Sequence, residues 1–106
     1  MPFSDQPWSA DESAYSDAAA FCAACLIDEN PAGKPKAKGL CKLPVKGAGG
    51  GYNRNAIHAA WAALAGARGG VQASAESKRQ AARKLVRLYR EMGDEVPPAM
   101  VRMAGL

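Results

Sequence analysis

Residues 40–92 read as one ordered packing unit. A short apolar stretch (LCKLPV, 40–45) meets a glycine-rich turn (KGAGGG, 46–51). An alanine-rich helical segment follows, then the Gly69-Gly70 break, then a long basic amphipathic segment. Residues 40–45 do not alternate perfectly but suit a short strand, and the period near 3.6 beyond the turn argues for helices. Asn53 suits the N-cap of a helix over 54–67, with Ile57, Ala60, Trp61 and Leu64 as its buried stripe. Ser74 suits the cap of a helix over 75–92, with Ser77 as the alternative. Gly93 stands at the left-handed position that closes such a helix. Pro97-Pro98 opens a short last helix over 98–103.

The first part of the chain is less regular. Residues 1–10 form an arm with Pro2 and Pro7, in which Trp8 is a large apolar group that needs a core to dock on. Ser9 with Glu12 matches a capping box, and Ser13 or Ser16 fits a later start. A helix over 13–26 places Tyr15, Ala18, Cys22 and Cys25 on one face, and Asn30-Pro31 ends it. Residues 30–39 and 46–52 read as loops, the latter as a flexible connector. Lys34, Lys36 and Lys38 read as solvated. Pro44 places the 40–45 strand at an edge or an end. Its partner is either residues 23–28 or the N-terminal arm, and the sequence leaves both open.

These elements make a mainly α domain with a minor β element, three to four helices in a single unit over residues 1–106. The expected core is Trp8, Phe21, Cys25, Leu43, Ile57, Trp61, Leu64, Leu85, Leu88 and Tyr89. Hydrophobic residues make up 48% of the chain but aromatics only 7%, so alanine must supply close helix contacts. No apolar run approaches the ~18 residues of a membrane span. The opening residues do not read as a secretory leader. Three cysteines are an odd number, which argues against a disulfide framework and for a reducing cytoplasm.

Three sets of residues carry candidate chemistry. The net charge of +4 favours an acidic partner. On a helical wheel Arg79, Arg83, Arg87 and Arg90 share the face opposite Ala81, Ala82, Leu85, Leu88, Tyr89 and Met92. That stripe is either a phosphate-tracking surface for nucleic acid or a solvated helix face. Cys22, Cys25, Cys41 and His58 have a spacing that permits a structural zinc site, the alternative being buried thiols in an apolar helix. Cys41 with His58 is also a nucleophile–base pair to consider. Nothing in the sequence orients that base, so no enzyme and no cofactor are expected. The GAGGG turn lacks the lysine and the hydroxyl residue of a phosphate loop.

The segments CLID (25–28), KLPVKG…YNRNAIHAAWAALAGARGGV (42–71) and SKRQAARKLVRLYREMGDEVP (77–97) together resemble small modules encoded in tailed-phage and prophage genomes. Such modules occur alone or within larger head proteins, near capsid, scaffold and maturation-protease genes. The resemblance implies a capsid-associated or assembly role in the host cytoplasm or the virion, with another head protein as partner. It brings no catalytic residue with it. In that setting Arg68, inside GARGG, becomes a candidate interface anchor, the alternative being a charge at the helix C-terminus.

Overall fold

The computed structural model describes residues 3–8, 12–47, 49–66 and 69–106. It is mainly α with a minor β element. The order is α1 (Ala18–Ala23), β1 (Cys25–Asp28), β2 (Cys41–Pro44), α2 (Arg54–Leu64), α3 (Ala75–Met92) and α4 (Pro98–Ala104), with 3-10 turns at Glu12–Ala14 and Lys38–Leu40. None of the described helices is long and apolar enough to cross a membrane.

The first helix is shorter than the expected 13–26. Asp17 caps it by accepting from Ala20 N at 2.8 Å, and Ala24 closes it. Ser9 lies outside the described residues. CLID then becomes β1 instead of a last helical turn. It pairs antiparallel with β2, with Cys25 opposite Pro44, Ile27 opposite Lys42 and Asp28 opposite Cys41. Leu26 and Ile27 are both buried, so both faces of β1 are covered, and α3 lies against it. Consecutive buried positions suit a strand between two layers, and the branched Ile27 favours it over a helix. The ladder thus settles which segment partners β2.

Around α3 the expectations hold closely. Ser74 caps it by accepting from Ser77 N at 3.1 Å, and Gly93 ends it at φ 79. Its stripe Ala81, Ala82, Leu85, Val86, Leu88, Tyr89 and Met92 is buried against Ile57, Ala60 and Leu64 of α2, Met100 and Ala104 of α4, and Leu26, Ile27, Leu43 and Val45. Alanines at 60, 81, 82 and 104 let the helices approach closely. A second, smaller cluster joins Tyr15, Phe21, Cys22, Ala24 and Cys41.

Three expected core residues sit elsewhere. Trp61 is only partly buried, because Ala56 and Ala60 take the inner line of α2 and the next position falls at its margin. Trp8 and Cys25 are half-buried. The short α4 contributes what the expected core left out, since Met100 and Ala104 are fully enclosed. Helix α2 ends at Leu64, short of the expected residue 67, and Gly66 follows at φ 118.

The loops are more tied than their composition suggested. Gly47 N donates to Gly51 O and Gly50 N to Gly47 O, both at 2.9 Å, beneath a Lys46–Tyr52 bridge. The glycine segment is therefore a hydrogen-bonded turn. Ser4 of the arm pairs with Asn53, and Arg54 N donates to Ser4 O at 2.8 Å. Asn53 both caps α2 through Ala56 N and donates to Gln6 O at 3.1 Å. Lys36, expected to be solvated, instead pairs with Asp28 at 2.6 Å.

Leu43 is the one non-glycine residue at positive φ (64) among those described, yet its side chain is buried. That backbone region costs a leucine about 1–2 kcal/mol. The following Pro44 already disfavours the right-handed helical alternative.

Candidate functional site

The outward face of α3 carries Arg79, Arg83, Lys84, Arg87 and Arg90, all exposed. The helix presents them because its apolar stripe faces the core and leaves the opposite side to solvent. They do not form one uniform stripe. Arg79 pairs with Glu76 one turn back. Arg83 donates from Nε to the Ala104 carbonyl at 2.7 Å, so its cation closes the C-terminus of α4. A Cβ at Gly105 would stand 3.5 Å from Arg79 and 3.7 Å from Arg83, which places both side chains against the end of α4.

Arg87 belongs to a different grouping. With Lys84 and Lys46 it lines a hollow of about 200 Å³ whose walls include Cys25, Leu26, Val45, Tyr52 and Leu88. Lys84 Nζ donates to the Leu26 carbonyl at 3.1 Å. Lys46 Nζ stands 4.8 Å over the Tyr52 ring. None of the residues lining the hollow is acidic. Lys84 and Arg87 are one turn apart on α3, a spacing visible in the sequence. Lys46 arrives from the far end of the β2 segment, which the sequence does not signal. Arg68 lies outside the described residues.

The thiols and His58 do not converge. Cys22 and Cys41 are joined in a disulfide, which overturns the expectation of unpaired thiols drawn from the odd number. Cys25 stands outside the bridge. It sits three residues from Asp28 along β1, roughly 10 Å at strand rise, while Asp28 is the position opposite Cys41. His58 lies on the exposed side of α2 with Nε2 2.8 Å from Asp94 Oδ2, and its ring meets Tyr89 edge-on at 5.5 Å. The four-ligand zinc set Cys22, Cys25, Cys41 and His58 is thus not assembled. The bridge also removes Cys41 as a nucleophile for His58.

The residues around the bridge were missed by sequence reasoning. Asn30 Nδ2 lies 3.2 Å from Cys41 Sγ, 3.6 Å from Cys22 Sγ and 2.8 Å from Asp28 Oδ1, while Asn30 Oδ1 accepts from Ala37 N at 2.7 Å. Hydrogen bonds from Lys36 and Asn30 bring the Asp28 carboxyl down to about 2. Next to it, Glu29 accepts from Ser74 N and Ser77 Oγ at the start of α3, which lowers its carboxyl too. A carboxylate there complements the positive end of the helix.

Comparison of the chain with protein-family models, curated proteins and solved structures finds no match.

Proposed function

We propose that this chain is a non-catalytic assembly module of a tailed-phage head, acting in the host cytoplasm or the virion. It docks on an acidic face of a capsid, scaffold or other head protein through the cationic side of α3. The observation that supports this reading is the convergence of Lys46, Lys84 and Arg87 on one hollow with no acidic residue in its lining. A partner carboxylate entering there meets three cations, while Tyr52 and Leu88 offer apolar wall. Charge-assisted hydrogen bonds of this kind are the strong ones, and arginine and tyrosine are favoured interface residues. Zinc and other cofactors have no part in the docking.

Nucleic-acid docking through Arg79, Arg83, Arg87 and Arg90 is the second reading. The common exposure of these residues on α3 favours it. Against it, Arg79 and Arg83 are already engaged by Glu76 and by the α4 carbonyl. Of the four, that leaves Arg87 and Arg90 to meet phosphates.

The test is a pair of titrations, one against purified capsid and scaffold proteins and one against generic duplex DNA, each at two salt concentrations. The docking reading expects binding to a head protein that the Lys84→Ala/Arg87→Ala double variant weakens by roughly tenfold or more. Head-protein binding unchanged in that variant sinks it. DNA affinity that falls steeply with salt, without head-protein binding, selects the second reading.

A further inference from the structure

Helix α1 and the β1–β2 ladder bring together a set of donors that the docking surface does not use. Cys22 Sγ, Cys41 Sγ and an oxygen of Asp28 all lie within 4.8 Å of one another, the one such close set among the described residues. Each is fixed by a different element. Asp28 and Cys41 face each other across the β1–β2 ladder, and Cys22 is held on the buried side of α1.

We infer that the reduced chain binds a thiophilic divalent cation, zinc foremost, through the Cys22 and Cys41 sulfurs and the Asp28 carboxylate. Zinc–sulfur bonds near 2.3 Å and zinc–oxygen bonds near 2.0–2.2 Å place neighbouring tetrahedral donors roughly 3.5–3.8 Å apart. The two sulfurs must part from bonded contact to that spacing, which side-chain rotation provides, and the carboxylate, within 4.8 Å of both, must close by no more than about 1 Å. Two thiolates and one carboxylate are a donor set that zinc accepts, with solvent as the fourth ligand at the exposed Asp28 edge.

The surroundings fit a metal centre. Asn30 points its Nδ2 at both sulfurs and is itself anchored by Ala37 N, so it is placed to donate to thiolates. Such outer hydrogen bonds orient metal ligands and tune their basicity. Lys36 occupies Asp28 Oδ2 at 2.6 Å and has to yield to the metal. Its side chain is 40% exposed and so has room to swing away.

Disulfide and metal are alternative states of the same two sulfurs. Two equivalents of a small thiol reduce the bridge, giving two cysteine thiols and one small-molecule disulfide. The divalent cation then displaces the two thiol protons, which leave to solvent. The inference is independent of the docking reading, since no residue of the cationic hollow takes part.

The experiment titrates zinc, and cobalt(II) as a coloured stand-in, into the full chain in its oxidised and reduced forms. The reduced chain is expected to take up one metal, to show the sulfur-to-cobalt charge-transfer band, and to melt at a higher temperature with zinc than without. The oxidised chain is expected to take up none. Asp28→Asn weakens zinc by roughly tenfold or more, while Cys25→Ser leaves it unchanged. A Cys22→Ser/Cys41→Ser double variant, which lacks the bridge as the reduced chain does, gains no thermal shift from zinc. If it gains the same shift, or if Cys25→Ser abolishes uptake, the metal sits elsewhere and the inference is wrong. It also fails if the reduced chain takes up no metal.

Discussion

The cluster beneath α3 and the cluster around Cys22 are held in different ways. The first draws on both strands and three helices. Leu85, Ile57 and Met100 are sealed completely, and Ala81, Ala82 and Ala104 allow close packing between them. The second has two aromatic rings, Tyr15 and Phe21, a few small residues and a disulfide. It also carries hydrogen-bonded stitching through Asn30, Asp28 and Lys36. Burying apolar surface suffices where several elements share one interior. A short helix and a lysine-rich loop expose too much backbone for that, so a covalent tie and polar contacts complete the job. The bridge joins residues 19 apart, and loop closure of that length stabilises by about 3 kcal/mol.

The comparison is broken most directly from the large cluster. Leu85→Ala is expected to lower the global unfolding free energy by about 2–5 kcal/mol, read by denaturant melts. A loss below about 1 kcal/mol would mean that the interior under α3 is not the principal one. Next in size is reduction of Cys22–Cys41, worth about 3 kcal/mol. Its effect should be regional: amide hydrogen exchange accelerates across residues 18–41 and stays slow at the centre of α3. Equal acceleration in both regions would make the two clusters one cooperative unit.

Helix caps give a smaller contrast. Asn53→Ala removes a buried cap from α2 and an anchor of the arm, and is expected to cost about 1–2 kcal/mol. Asp17→Ala removes an exposed cap from α1 and should cost about 0.5 kcal/mol. Thermal melts that reverse this order would contradict the ranking of the two regions.

The smallest expected effect is a pH dependence, with one phenol in each cluster. Burial pushes Tyr15 and Tyr89 up, helped by Cys25 for Tyr15 and by Asp94 for Tyr89. The folded chain therefore keeps a proton that the unfolded chain gives up. Stability from this source is full below the ordinary tyrosine value of about 10 and declines as pH rises beyond it. Tyr89→Phe and Tyr15→Phe should each reduce that alkaline decline, as denaturant melts at neutral and alkaline pH can measure. A decline of the same size in both variants as in the parent chain would refute the assignment.

What could be read from the sequence follows how local each determinant is. Helix α3 was legible from end to end, because Ser74, the apolar stripe and Gly93 act within the helix itself. CLID was ambiguous because its state depends on a ladder to residues 41–44. The disulfide was missed because an odd number of cysteines argued against one, while the pairing of Cys22 with Cys41 depends on α1 and β2 meeting in the fold. The arginine stripe was seen, but its division was not. Arg83 is committed by the end of α4, and Arg87 is joined by a lysine from the β2 segment. Those partners come from two elements that the helix's own sequence does not signal.

Leu43 carries two requirements that no single ordinary residue meets well. Its backbone at φ 64 favours glycine or asparagine, while its buried side chain favours a large aliphatic group. In a saturation library selected for folded protein, neighbouring core positions should accept other aliphatics of similar volume. Position 43 should be far less permissive. β-Branched residues fail on the backbone, glycine leaves a void, and polar residues bury an unsatisfied group. The tolerance map of this chain would then have its narrowest point in a four-residue strand, not in the long helix that supplies the largest share of the interior.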